Sequence, residues 1–115
     1  MTTIYAGTAY NQVLTFNSTK PLKDRKVYGA MNRDPVLSVS SYLNGGVTYA
    51  TSKAIHVARR DGSNCEIVRL DGKEKIISVA GLNSSFVYAL SNGSFYEALY
   101  ERKPSETNFE QRTPE

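Results

Sequence analysis

Tryptophan is missing from this 115-residue chain, and cysteine and histidine occur once each, as Cys65 and His56. A single cysteine excludes an intramolecular disulfide and a Cys-rich metal site. A single histidine excludes a His-based metal cluster or a His–His pair. No window approaches the roughly 18 apolar residues of a membrane-spanning helix. No segment keeps a 3.6-residue apolar period over three turns, so long amphipathic helices are not expected. The N-terminus, Met1-Thr2-Thr3-Ile4-Tyr5, has no basic stretch leading into a long apolar run, so no signal peptide is expected. A reduced thiol and an intracellular setting, nuclear or cytoplasmic, follow as expectations, with no membrane as partner. The glycosylation-type triplets at Asn17, Asn83 and Asn92 are then chance matches.

What the chain does have is tyrosine, eight of them, and short runs of β-forming residues. Residues 3–7 and 12–16 read as strands around the turn-prone Thr8–Asn11. Polar and basic residues 17–26 follow as a loop, in which Pro21 rules out a central strand. Residues 26–30, 36–41, 47–51, 54–58 and 65–70 read as further strands. So do 76–80, 86–90 and 94–98. Asn44-Gly45-Gly46 is a turn because these residues tolerate positive φ. Asp71-Gly72 suits a tight hairpin. Val79-Ala80-Gly81 places small residues where backbones can approach closely.

The runs recur. Residues 36–56 and 76–96 share an apolar strand, a small polar turn and a second apolar strand, and residues 4–18 give a fainter copy. A period of about 35–40 residues marks repeated units. The expected fold is all-β: repeated antiparallel three- or four-stranded units resembling propeller blades in a partial propeller, with a small β-sandwich or barrel as the alternative. One β-repeat domain is expected over residues 1–102, with approximate repeats 3–35, 36–75 and 76–102. Residues 103–115 are polar and carry two prolines, and read as a flexible tail.

The third copy resembles the repeat of the regulator of chromosome condensation family, seven-bladed propellers with four strands per blade. The residues that carry the resemblance are Glu66–Leu70, Ile76-Ile77-Ser78-Val79-Ala80-Gly81, Ser84-Ser85, Tyr88-Ala89-Leu90, Asn92-Gly93 and Phe95-Tyr96. The second copy follows through Val36-Leu37-Ser38-Val39, Tyr49-Ala50-Thr51 and Ile55. The first follows through Tyr5-Ala6-Gly7 and Leu14-Thr15. The family's His before Ser is absent from all three copies, and Glu97-Ala98 stands where its Trp-Gly would be. The resemblance implies a binding platform whose partners are proteins such as a small GTPase or a chromatin protein. Three such units do not close a ring, since the end strands would stay unpaired. Self-association or a hetero-complex is therefore expected.

Candidate chemistry is sparse. His56 lies in the strand Ile55-His56-Val57 with no nucleophile signature around it, and Cys65 lacks a Cys–His arrangement. Asp24, Asp34, Asp61 and Asp71 fall in turns, where their side chains bond the backbone. No enzyme, catalytic residue, metal or cofactor is expected. The net charge of +3 is mild, but Lys23, Arg25 and Lys26 cluster in one loop and Arg59 with Arg60 in another. These five are the candidate partner-binding residues, steering an acidic protein. The alternative is nucleic-acid binding by the basic loops with Tyr10, Tyr28 and Tyr42 as stacking partners.

Overall fold

The computed structural model describes residues 3–17, 19, 25–29, 31–100 and 110–112. Among the described residues, eleven strands make three antiparallel sheets, each built from a contiguous stretch of chain. The first sheet runs β1 (Thr3–Gly7), β2 (Val13–Asn17) and β3 (Lys26–Tyr28). The second runs β4 (Ser38–Tyr42), β5 (Gly46–Ala50), β6 (Ala54–Ala58) and β7 (Asn64–Arg69). The third runs β8 (Ile76–Gly81), β9 (Ser85–Leu90), β10 (Phe95–Leu99) and β11 (Glu110–Arg112). Within each sheet, sequence neighbours are spatial neighbours, and no sheet closes on itself. The all-β repeated architecture expected from the sequence is present, and a barrel is not.

Turn chemistry explains the meanders. The Leu43–Gly45 stretch is one 3-10 turn, ended by Gly45 at φ 83°, the positive value its side-chain-free residue permits. Two other turns share one device. Thr8 Oγ1 accepts from the amides of Tyr10 and Gln12, both at 3.2 Å, while the Thr8 amide donates to the Gln12 carbonyl. Thr51 Oγ1 accepts from the amides of Lys53 and Ala54 at 3.4 and 3.2 Å, and the Thr51 amide donates to the Ala54 carbonyl. Such hydroxyl turns satisfy backbone donors that a strand reversal would leave open.

This match fixes how the sheets correspond. The β1–β2 turn is the counterpart of the β5–β6 turn, so β1 corresponds to β5 and not to β4. One cross-strand row in each sheet agrees. Gly7 opposes Val13, which opposes Tyr28; in the second sheet Ala50 opposes Ile55, which opposes Val68. In the third sheet Ala89 opposes Phe95. Among the described residues, the first sheet thus has no counterpart of the strand that β4 and β8 supply to the others. The faint first copy in the sequence begins one strand later than its apolar rhythm suggests, because every hairpin shares that rhythm.

The sheets stack face on face. Ala50, Ile55 and Val68 on the forward face of the second sheet pack with Ile76, Val79, Phe86, Tyr88, Leu90 and Ala98 of the third. Val13 and Tyr28 on the forward face of the first sheet pack with Val47, Tyr49 and Ala58 on the rear face of the second. The alternating burial of β9, with Phe86, Tyr88 and Leu90 buried and their neighbours half-exposed, reads directly as one packed face. Burying aromatic and branched side chains of this size supplies the main stabilisation.

Two expectations are corrected here. Asp71-Gly72 does not close a hairpin. It lies in the crossover between β7 and β8, which belong to different sheets, and Gly72 is not among the positive-φ glycines. Lys53 holds this crossover, its Nζ donating to the Gly72 carbonyl at 2.6 Å and to the Glu74 carbonyl at 3.1 Å. Val36 and Leu37 precede β4 instead of opening it, because Val36 donates to the Thr8 carbonyl of the preceding sheet. Of residues 103–115, those described are 110–112, and they pair with β10 as β11.

Candidate partner-binding surface

The described basic residues singled out by sequence lie at the start of β3 and on the β6–β7 turn. Lys23 lies outside the described residues. Arg25 precedes β3 and Lys26 opens it, and both are exposed. Arg59 and Arg60 are exposed in the β6–β7 turn. That turn is held by the Arg59 amide on the Ser63 carbonyl at 2.8 Å and the Gly62 amide on the Arg59 carbonyl at 2.9 Å. The Asp61 carboxylate accepts from the Ser63 amide at 2.8 Å. This bond, above all, holds the Asp61 carboxyl below its ordinary range.

Alternate turns of a meander lie at the same end of a sheet, so the β4–β5 and β6–β7 turns adjoin. The Arg59 guanidinium carbon stands 5.9 Å from the centre of the Tyr42 ring, within cation–π reach. A Cβ placed on Gly45 would lie 3.5 Å from Arg60 Cδ. The Tyr28 hydroxyl donates to the Gly45 carbonyl at 3.5 Å, tying the first sheet to the same turn. Arg59 and Arg60 thus form one supported pair on the second sheet. Arg25 and Lys26 enter the first sheet from its corresponding connection, β2–β3.

The tyrosines read as stacking partners behave differently from one another. Tyr28 is buried. Tyr42 is half-buried, edge-on to Tyr100 at 4.7 Å between ring centres. Tyr10 is exposed, in the β1–β2 turn. Two of the three rings are therefore committed to packing.

His56 is explained by the repeat. It stacks on Tyr49, ring centres 4.9 Å apart, across the β5–β6 pair. At the same place in the third sheet Tyr96 stacks on Tyr88 at 5.3 Å. His56 fills the position of a packing aromatic. Burial pushes its imidazole pKa down, against the pull of the Glu66 carboxylate opposite it. Asn64 Nδ2 donates to the buried Tyr49 hydroxyl at 2.9 Å, whose own pKa burial raises. Glu66 is engaged by Arg69, whose Nε donates at 3.0 Å to both carboxylate oxygens. Among the described residues no three of His, Cys, Asp and Glu gather as a metal-holding group. No described helix is long and apolar enough to cross a membrane.

The features sequence reading missed are the two end faces of the stack. The rear face of the first sheet carries Ile4, Ala6, Leu14, Phe16 and Val27, in register as Ile4 with Phe16, Ala6 with Leu14, and Leu14 with Val27. Ile4 is 50% and Val27 49% exposed, whereas Val47, the counterpart of Ile4 in the second sheet, is fully buried. The forward face of the third sheet carries Ala80, which is exposed, and Val87, Ala89 and Phe95, which are partly buried. The signal was present in the alternation of β1, β2 and β9, where both faces are apolar. A strand apolar on both faces is one that expects a neighbour on each side.

No protein-family model matches the chain, and no curated protein sequence matches it.

Proposed function

We propose that this protein is a non-enzymatic protein–protein interaction platform, a regulatory or scaffold subunit in which stacked, blade-like sheets hold basic turns at fixed positions. The observation that carries the proposal is the braced pair Arg59 and Arg60: both are exposed, on a turn closed by its own hydrogen bonds and seated against Tyr42 and Gly45. A charged turn held by a rigid sheet leaves only the side chains, and not the backbone, to be ordered at the moment of binding. The partner chemistry that fits is an acidic protein surface. The resemblance to chromosome-condensation regulator repeats supports a protein partner, such as a small GTPase or a chromatin protein.

The test uses a fluorescent polyglutamate peptide and a single-stranded oligonucleotide of equal charge as probes. The peptide should bind, with an association rate that falls with added salt. Replacing Lys23, Arg25, Lys26, Arg59 and Arg60 together by alanine should lower that rate by about tenfold at low salt. An unchanged rate would remove the proposal. Tighter capture of the oligonucleotide than of the peptide would replace it by the nucleic-acid reading.

A further inference from the structure

Each internal junction joins the forward face of one sheet to the rear face of the next. The first junction sets Val13 and Tyr28 against Val47, Tyr49 and Ala58. The second sets Ala50, Ile55 and Val68 against Phe86, Tyr88 and Ala98. Among the described residues no further sheet packs on the remaining face at either end, one of each kind. The third sheet presents a forward face, with Ala89 and Phe95 in the places of Ala50 and Ile55. The first sheet presents a rear face, with Ile4 in the place of Val47 and Ala6 in the place of Tyr49.

The polar detail also repeats. Ser38 opposes Ala50 on the forward face of the second sheet, and its hydroxyl bonds both the Val79 amide (3.1 Å) and the Val79 carbonyl (3.2 Å) of the third. Ser78 opposes Ala89 in the same way on the third sheet and is exposed. It stands where a following sheet would take its hydroxyl.

We propose that a second copy of this chain covers these faces. The forward face of each copy's third sheet packs on the rear face of the other's first sheet. The contact is continuous with the two internal junctions, and it is heterologous, so one contact leaves an apolar face open and two close a ring. Six sheets in a ring fall within the roughly four to eight of closed radial sheet assemblies. The junction has a cost at Glu97, which opposes Val87 on the forward face where the second sheet has Val57 opposing Thr48. This inference goes beyond the platform reading, since it uses sheet faces and not the basic turns.

The test is mass in solution by light scattering and sedimentation across a range of protein concentrations. Twice the 12.7 kDa chain mass is expected. Ile4→Lys spoils only the rear face, and Ala89→Lys only the forward face. Both positions point away from the internal core, so each variant should remain folded by circular dichroism, and each should be monomeric. Val27→Lys and Phe95→Lys repeat the pair at second positions. Mixing the Ile4→Lys and Ala89→Lys proteins should restore a dimer, because the mixed pair retains one intact contact. A wild-type monomer at every concentration, a dimer broken by only one of the two substitutions, a mixture that stays monomeric, or masses above the dimer would each overturn the proposal. Peptide binding at the basic turns is measured on the same proteins, and its loss or survival reports on that reading alone.

Discussion

The two internal junctions are built from the same kinds of face but not from the same number of strands. At the second junction, β4 and β5 both pack on β8. Ser38 and Ser40 reach across, the latter accepting from the Gly81 amide at 2.8 Å. Thr48 and Tyr100 share a hydrogen bond of 2.7 Å. Gly81 has no side chain because a Cβ there would meet the Tyr100 hydroxyl and, at 2.9 Å, the Ser41 carbonyl. At the first junction β1 packs on β4, the counterpart of β5 on β8. Among the described residues nothing pairs with the other edge of β1. The difference shows what an inner strand adds: a second row of contacts, and a place for hydroxyls that satisfy the next sheet's backbone.

The largest expected effect tests that asymmetry in the apolar layer. Phe86 is fully buried at the second junction and lies 5.0 Å from the Tyr100 ring centre. Phe86→Ala should cost about 3–5 kcal/mol, the range for an aromatic removed from a packed core. Val13 is equally buried at the first junction, and Val13→Ala should cost roughly 2 kcal/mol, from two lost methyl groups and the space they leave. Urea midpoints for both variants measure the difference. Equal costs, although Val13→Ala removes far fewer atoms than Phe86→Ala, would mean that the first junction is packed more tightly per atom than the second despite having fewer described strands.

Much of this architecture is legible in the sequence, for identifiable reasons. β6, Ala54–Ala58, coincides with its predicted strand because apolar residues are bounded by Ser52-Lys53 and Arg60-Asp61-Gly62. The close approach at Gly81 is legible in the small residues Ala80-Gly81. The pairing of sheets is less legible. Asp71-Gly72 looks like a hairpin turn locally, and only the tertiary decision that β7 and β8 belong to different sheets makes it a crossover. The correspondence of β1 with β5 is written in Thr8 and Thr51, two residues whose shared turn geometry emerges only when the strands are paired. The basic residues were visible as charges, but their support by Tyr42 and Gly45 comes from the meander. His56 looks isolated in sequence, and its role as a packing ring becomes visible when it is set beside Tyr96.

A smaller effect sharpens the polar half of the comparison. Ser40→Ala removes the acceptor of the Gly81 amide, which is partly buried. An unsatisfied donor in that setting costs roughly 1–2 kcal/mol. The loss should be local: amide exchange at Gly81 should quicken more than exchange at Val13 or Tyr28. Uniform quickening across all three sheets would show instead that the second junction opens only when the whole stack does.

The smallest expected effect belongs to the first junction and is read by pH. His56 lies on the rear face of the second sheet with Tyr49, and the groups acting on it are Glu66, Arg69, Asn64 and Asp34. Burial dominates and lowers its pKa from the ordinary 6.5. A lowered pKa means that the folded chain holds the neutral ring where the unfolded chain already binds a proton. Stability from this residue is complete above pH 6.5 and is lost as pH falls toward the depressed folded value. Thermal midpoints should therefore drop between pH 7.5 and 5.5, a window above the titration of Glu66 and Asp61, whose carboxyls are held below their usual range. His56→Gln should flatten that slope. A slope that persists in the variant would place the acid sensitivity elsewhere and leave the first junction no weaker at low pH than the second.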